Sequence, residues 1–188
     1  MEAILNREIV THRTACRAIG VAAFVILTAL GAFVRIPLPF TPVPITLQTF
    51  FVLLCGLALG RRLAAVTQLS YIFLGVAGLP IFTGAGSGLF YLIGSTGGYL
   101  FGFVLAAWVA GTLISETKGT FFPTFTILCL ADLVLLSCGV IWLKVIFGYS
   151  LAKLLVIGFF PFVVGDLLKI VAAAFIYSRF QPRIKEVL

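Results

Sequence analysis

The chain has 188 residues, of which 62% are hydrophobic and only 10% are charged, and its net charge is +7 at pH 7. Ordinary globular domains carry about 25% charged and about 45–50% apolar residues. A soluble protein of this length cannot bury so much apolar surface, so the sequence predicts an integral membrane protein. Its apolar runs are continuous rather than alternating, which excludes a membrane β-barrel.

Six apolar segments are predicted to cross the membrane as helices. In chain order they cover about residues 16–34, 45–60, 63–78, 99–115, 121–143 and 151–177. A polar arm, residues 1–15, is expected to lie at the membrane interface, and a basic tail covers residues 179–188. The predicted architecture is therefore one all-α membrane domain over residues 1–188, with a six-helix bundle over residues 16–178.

Two segments between the predicted spans have unusual compositions. The first, RIPLPFTPVP, contains four prolines and cannot form a regular helix. The second, GLPIFTGAGSGLFYLIGSTGG, has seven glycines among 21 residues, yet it is too apolar for a solvated loop. Irregular backbone at membrane depth occurs where protein covers it or where it lines a cavity. We therefore expect this glycine-rich segment, residues 78–98, to fold over a site.

The distribution of Lys and Arg predicts that both termini face the cytoplasm. With that orientation the inner side carries Arg7, Arg13, Arg17, Arg61, Arg62, Lys118, Arg179, Arg183 and Lys185, and the outer side carries Arg35, Lys144 and Lys153. These bases stand singly or in pairs at the ends of apolar runs, as the positive-inside rule describes, and they form no patch for nucleic acid. Both unusual segments then lie outside.

An acid and a base interrupt the last apolar run. Asp166 and Lys169 are the only charged residues among the 25 residues from 154 to 178. A lone Asp or Lys at mid-helix costs about 2.5–3.5 kcal/mol in the bilayer, and the i, i+3 spacing puts both on one helical face. The pair is predicted either to bind a polar solute in the bundle interior or to form a structural ion pair.

The inventory of reactive residues does not indicate an enzyme. The lone histidine, His12, lies in the polar arm, and the four cysteines stand singly, so neither a nucleophile–base set nor a metal cluster is indicated. One further acid, Asp132, lies within a predicted span and is expected near Asp166. No P-loop motif occurs, so uphill transport would need a partner or an ion gradient. We expect no cofactor.

Four motifs, in order, resemble the BioY family of biotin-specific substrate-capture (S) components of energy-coupling factor (ECF) transporters. They are PVPITLQTFFVLLCGLALGRR, YIFLGVAGLPIF, GSTGGYLFGF and FPFVVGDLLK, and the resemblance covers about residues 16–178. It implies a multi-pass protein of the cytoplasmic membrane that binds biotin from outside. The implied partners are membrane lipid, a transmembrane coupling protein and two cytoplasmic ATPases.

The resemblance also implies a set of binding residues. The family's acid and lysine match Asp166 and Lys169, and its glycine-rich pocket segment matches residues 94–99, which include Thr96 and Tyr99. Some relatives carry a polar or basic residue just before TGG, where this chain has Ser95, so a ligand contact made there would be absent or replaced. Thr96 is expected either to cap the fourth helix or to face the ligand, and Gly97-Gly98 to allow a tight turn.

The chemistry of biotin agrees with these residues. Asp166 can accept from the ureido N–H groups, and Lys169 can donate to the ureido carbonyl or to the valerate carboxylate. Gln48 and Thr46 either extend the polar pocket or satisfy backbone groups at the helix start. Aromatic walls are expected from Phe40, Phe82, Phe90 and Tyr99.

A second surface is predicted on the first span. Ala18 and Ala22 stand at i, i+4, and small residues one turn apart let another helix approach closely. The resemblance implies that this pair docks onto the coupling protein, whereas internal packing is the alternative.

Other functions stay open at the level of sequence. They are an S component for another vitamin, a non-catalytic membrane assembly subunit and a lipid-modifying enzyme, the last disfavoured by the missing nucleophile–base set.

Overall fold

A computed structural model describes the backbone of residues 2–117 and 119–187 and the side chains of residues 14–117 and 119–182. Over these residues the fold is all-α apart from one two-stranded hairpin. The helices are α1 Glu2–Phe33, α2 Gln48–Val76, α3 Leu89–Ile93, α4 Gly97–Leu113 with a 3-10 turn at Ile114–Glu116, α5 Phe121–Phe147, α6 Leu151–Gly158 and α7 Phe160–Val187. Five helices in the described part, α1, α2, α4, α5 and α7, are long and apolar enough to cross a membrane.

The N-terminal arm is continuous with the first span. Helix α1 begins at Glu2, and its apolar part covers Thr14–Phe33. The side chains of residues 1–13, with His12 among them, lie outside the described residues, and the arm's interfacial position stays a prediction. So does the single-domain boundary.

The proline-rich segment forms no regular helix, as expected, and folds into a hairpin that the sequence did not predict. Strand β1, Arg35–Ile36, pairs antiparallel with β2, Ile45–Thr46. At the tip of the hairpin, the backbone N–H of Val43 donates to Thr41 Oγ1 at 3.3 Å. The hairpin therefore delivers the chain directly to Gln48, the first residue of α2.

Helix α2 replaces two of the predicted spans and folds back at Gly60. The backbone of Gly60 has φ 72° and ψ 172°, which interrupts the helical conformation. A straight helix rises about 1.5 Å per residue, so residues 23 apart would be about 35 Å from each other. Instead, Gln48 Nε2 donates to Tyr71 Oη at 2.7 Å. The halves before and after Gly60 therefore lie antiparallel, side by side.

Glycines let the central helices α2, α4 and α5 approach closely. A Cβ atom at Gly56 of α2 would lie 2.7 Å from the Ala107 carbonyl oxygen of α4, and one at Gly102 would lie 2.9 Å from the Leu135 carbonyl oxygen of α5. Gly98 has no room for a Cβ beside Trp142 of α5. The expectation that Gly97-Gly98 allows a tight turn is confirmed for Gly97 only: its N–H closes a turn on the Gly94 carbonyl at 3.1 Å, and a Cβ there would collide with the Leu92 carbonyl. Gly98 lies within α4, where its smallness serves packing.

The last predicted span, residues 151–177, is not one helix. It breaks at Phe159, where φ is −129° and ψ is −67°, into α6 and α7. Pro161 gives the physical reason, because proline has no N–H for the helical hydrogen bond and its ring collides with the carbonyl four residues earlier. Helix α5, predicted to end at about residue 143, continues to Phe147, and its C-cap Gly148 has the left-handed conformation with φ 63°.

Candidate functional site

A cavity between α2, α4, α5 and α7 contains all five residues predicted to bind substrate. Its volume is about 40 Å³. The polar lining residues are Thr46, Gln48, Thr49, Thr83, Tyr91, Thr96, Tyr99, Asp166 and Lys169, and the apolar ones are Val43, Pro44, Leu100, Phe103, Leu135, Leu136 and Phe162. The fold thus brings together at one cavity residues that are far apart in the sequence, from Val43 to Lys169.

The ion pair in this cavity is buried and short. Lys169 Nζ lies 2.7 Å from Asp166 Oδ1, and the side chains of the two residues are 12% and 3% exposed. They stand one turn apart on α7, as their spacing predicts. The contact with Lys169 uses one proton of the ammonium and one lone pair of the carboxylate, so both groups can still bind a further partner.

Asp132 of α5 lies near this pair without lining the cavity. It is 6% exposed, and its Oδ1 atom has no hydrogen-bond partner among the described residues. Its charge interacts with those of Asp166 and Lys169, so the expected proximity to Asp166 is found. The hydroxyl of Thr49 stands close to the Asp166 carboxylate on another side. Asp166 is therefore the acid that lines the cavity, and Asp132 lies outside the cavity lining.

Gln48 forms the centre of a polar network beside the pair. Its Nε2 donates to Tyr71 Oη at 2.7 Å, and its Oε1 accepts from Thr83 Oγ1 at 3.1 Å. Thr46 Oγ1 accepts from the Gln48 backbone N–H at 3.3 Å. Both interpretations of Thr46 and Gln48 therefore have support, because they satisfy the start of α2 and also line the cavity.

The glycine-rich segment is folded against the cavity. Thr83, Tyr91 and Thr96 contribute side chains to its lining, and Tyr91 Oη donates to the Thr83 carbonyl at 3.2 Å. Trp142 of α5 fixes the end of the segment, with Nε1 donating to the Gly94 carbonyl at 3.0 Å. Thr96 occupies the N-cap of α4, but its side chain makes no capping hydrogen bond.

Tyr99 lines the cavity with its ring, while its hydroxyl is occupied elsewhere. The hydroxyl donates to the Gly158 carbonyl at 2.6 Å, and its ring lies 5.8 Å from that of Phe162, centroid to centroid. Of the other expected aromatic walls, Phe82 is fully buried outside the cavity, and Phe40 and Phe90 are 58% and 92% exposed. Burial explains the difference, since the sequence does not reveal which aromatic side chains point inward.

Sequence reasoning missed several lining residues. Thr49, Thr83 and Tyr91 directly follow Gln48, Phe82 and Phe90, which the sequence analysis named, and this adjacency was the available signal. Phe103 and Phe162 each lie within a quoted motif. Phe103 follows Tyr99 by four residues, and Phe162 precedes Asp166 by four residues. That spacing returns a helix to the same face, so it could have identified both.

The predicted docking residues occupy a separate, exposed groove. Ala18 and Ala22 lie on the outer surface of α1 and line a groove of about 660 Å³ between α1 and the second half of α2. The other lining residues are Thr14, Arg17, Val21, Val25, Ile26, Leu63, Ser70 and Leu74. The small side chains leave this surface open instead of packing inside the bundle.

Comparison with known sequences identifies close relatives. The sequence profile of the BioY family matches residues 6–186. The chain is 40% identical over 159 residues to the biotin transporter BioY of Thermotoga maritima, covering 84% of this chain and 91% of the relative. It is 38% identical over 161 residues to a probable biotin transporter BioY of Pyrococcus horikoshii, covering 86% of this chain and 93% of the relative.

Comparison with solved structures supports the fold independently. A crystal structure of the S-component for biotin from an ECF-type ABC transporter superimposes with a TM-score of 0.82. The match covers 90% of this chain and 92% of that one, at 23% sequence identity. At this identity the likeness concerns the arrangement of the helices.

Proposed function

Because the chain belongs to the BioY family, we propose that it captures biotin at the membrane as the S component of an ECF-type transporter. The observation that carries the proposal is the buried Asp166–Lys169 pair, which faces a cavity together with Gln48, Thr96 and Tyr99. The chain is a multi-pass protein of the cytoplasmic membrane and a transport subunit rather than an enzyme.

Asp166 and Lys169 supply complementary hydrogen-bonding groups for biotin. The Asp166 carboxylate accepts from a ureido N–H, and the remaining ammonium protons of Lys169 reach the ureido carbonyl or the valerate carboxylate. Bonds to charged groups are worth about 1.5–3 kcal/mol each, and more is lost when a buried partner is left unpaired. Both charges are already held by each other, so binding exchanges partners instead of desolvating a free ion.

The apolar part of biotin fits the other side of the cavity. Rings from Tyr99, Phe103 and Phe162 and side chains from Leu135 and Leu136 provide walls for the fused bicycle and the methylene chain. Gln48, Thr83 and Thr96 add neutral polar groups toward the outer loops. This division into a polar end and an apolar end provides selectivity for a ligand of mixed character.

The site has to widen when biotin enters. Its volume of about 40 Å³ is far below the roughly 300–1,000 Å³ of ordinary ligand pockets. The glycine-rich segment is the element suited to move, because it contributes Thr83, Tyr91 and Thr96 and is tied down by a few hydrogen bonds. We therefore assign it the role of a cover over the biotin pocket.

The topology of this proposal has six crossings with both termini in the cytoplasm. A 29-residue α2 that folds back at Gly60 supports two crossings in place of one, and Arg61 and Arg62 then face the cytoplasm in accordance with the positive-inside rule. The proposed partners are a transmembrane coupling protein, which docks at Ala18 and Ala22, and two cytoplasmic ATPases. Surrounding lipid completes the assembly.

Equilibrium binding of biotin to the purified protein in detergent tests the proposal. We expect saturable binding with heat release and a raised melting temperature. Unlabelled vitamins of other classes, added in competition, should displace biotin poorly. A titration with neither heat nor stabilisation would exclude biotin capture and favour an assembly subunit, whereas stronger displacement by another vitamin would reassign the substrate.

A further inference from the structure

A second cavity lies at the end of the bundle opposite the biotin site. It has a volume of about 690 Å³ and is formed where Gly60 folds α2 back beside α4 and α7. Three arginines line it, Arg17, Arg61 and Arg62, together with Ser115 and Tyr177. The remaining lining residues are Leu57, Ala58, Leu59, Gly60, Leu63, Gly111 and Ile114. No Asp or Glu is among the lining residues of this described part of the chain.

Tyr177 brings a polar group to the cavity. The residue as a whole is 2% exposed, and its hydroxyl makes no hydrogen bond to another residue whose side chain the structure describes. In this described part of the chain the buried atoms without a partner belong to Gln68 and Asp132, so the Tyr177 hydroxyl is open to the cavity and can donate to a ligand there. Ser115 is already occupied, since its hydroxyl donates to the Thr112 carbonyl at 2.6 Å and contacts Glu116, its exposed neighbour.

The backbone at the fold of α2 contributes further donors. Gly60 is non-helical, and the second half of α2 starts at Arg61. The first N–H groups of a helix have no intrahelical acceptor. Guanidinium groups, a phenol hydroxyl and free backbone N–H groups are together the donors that bind phosphate oxygens in proteins.

From this geometry we propose that the cavity lined by Arg17, Arg61, Arg62 and Tyr177 binds a phosphate-bearing anion, with an anionic phospholipid headgroup as its source. The groove that contains Ala18 and Ala22 argues for a lipid, because it shares Arg17 and Leu63 with the cavity. Beyond these two residues it continues along Val21, Val25 and Leu74, which suit an acyl chain. A lipid so placed occupies the proposed docking groove and has to leave before a partner helix binds there.

Native mass spectrometry of the purified protein, without biotin, tests this site. The protein is titrated with phosphatidylglycerol, with phosphatidylcholine and, in a separate thermal-shift assay, with inorganic phosphate. We expect phosphatidylglycerol to bind more tightly than phosphatidylcholine, whose choline cancels the phosphate charge. The double variant Arg61→Gln/Arg62→Gln should bind phosphatidylglycerol about tenfold or more weakly, since charge-assisted bonds are lost.

Two further variants make the result decisive. Lys144→Gln removes an exposed base at the opposite end of the bundle and should retain wild-type lipid affinity. Tyr177→Phe removes only the hydroxyl that reaches the cavity, so it keeps the fold and should weaken binding several-fold. If inorganic phosphate stabilises the wild-type protein but not the arginine variant, the phosphate group alone is sufficient for binding. If inorganic phosphate gives no stabilisation while phosphatidylglycerol still binds, the site requires the lipid. Equal affinity for both lipids, or unchanged affinity in the arginine and tyrosine variants, would overturn the proposal.

Discussion

At the scale of single residues, the proposed site depends on a pair of charges that neutralise each other inside a membrane protein. Replacing one partner of a buried ion pair leaves the other uncompensated, which is more costly than losing both. Asp166 and Lys169 are 2.7 Å apart and nearly inaccessible. Their effects on ligand binding and on stability must therefore be measured separately on the same purified protein.

Asp166→Asn should weaken biotin binding by about tenfold or more, because the amide retains the shape but loses the charge that strengthens its hydrogen bonds. Lys169→Ala should be similarly damaging, and the double variant should lose less than the sum of the two losses. Calorimetry gives the affinities, and melting curves give the stabilities. Asp132→Asn is the matched control, because it removes a buried acid outside the cavity lining and should change affinity less.

A purely structural ion pair gives a different pattern from the one just described. Asp166→Asn would then lower the melting temperature while biotin affinity per folded molecule stayed at the wild-type value. That outcome would place the binding groups elsewhere in the bundle.

Tyr99→Phe should lower stability more than it lowers biotin affinity. The hydroxyl bonds the Gly158 carbonyl at 2.6 Å, and leaving that buried acceptor unpaired costs about 1–3 kcal/mol. The ring that lines the cavity is retained, so the biotin contact should survive. Thermal unfolding and calorimetry, again on one preparation, check both parts. A large loss of affinity with normal stability would instead make the hydroxyl a ligand contact.

At the scale of secondary-structure elements, one backbone conformation decides how the chain folds between its second and third apolar segments. Gly60 has φ 72° and ψ 172°, a region that is accessible almost only to glycine. Gly148, at the end of α5, has φ 63° and ψ 12°, the left-handed region that Asn also tolerates. At neither position would a Cβ atom meet another atom within 4 Å, so the two glycines differ only in backbone strain.

Gly60→Asn should therefore destabilise the protein by about 1–3 kcal/mol, while Gly148→Asn should be nearly neutral. Melting temperatures of the two variants in the same detergent provide the comparison. Equal losses at both positions would mean that the fold of α2 does not depend on the conformation of Gly60.

At the scale of the whole molecule, the proposed binding residues and the proposed docking residues occupy separate surfaces. The cavity at Asp166 lies between α2, α4, α5 and α7, whereas Ala18 and Ala22 lie on the outer face of α1. A transport subunit with this arrangement can hold its substrate and engage a partner through different residues. Uptake and binding should accordingly be separable by mutation.

Ala18→Leu and Ala22→Leu should impair biotin uptake in cells while leaving biotin affinity of the purified protein nearly unchanged. Leucine adds bulk where close approach of a partner helix is needed. Ala23→Leu is the matched control, because Ala23 is exposed on the same helix but does not line the groove. Normal uptake in both groove variants would remove this surface from the docking proposal.

The sequence by itself determined that lipid surrounds this protein, where most of its helices lie and several of the residues that line its cavity. Composition required lipid, the prolines after α1 excluded a helix, and the i, i+3 spacing placed Asp166 and Lys169 on one face. All five predicted binding residues reached one cavity, because polar groups in an apolar chain gain by clustering away from lipid. Their role in biotin binding stays a proposal.

Only the tertiary structure decided how the helices meet and which side chains face inward. The break of the last span at Phe159, the packing of Gly98 against Trp142 and the outward position of Phe90 depend on neighbours far away in the chain. Periodicity gives no such information here, since residues facing lipid and residues facing the core are equally apolar. In a membrane, the inward face of a helix is selected by close packing and polar contacts, and these exist only once the bundle has assembled.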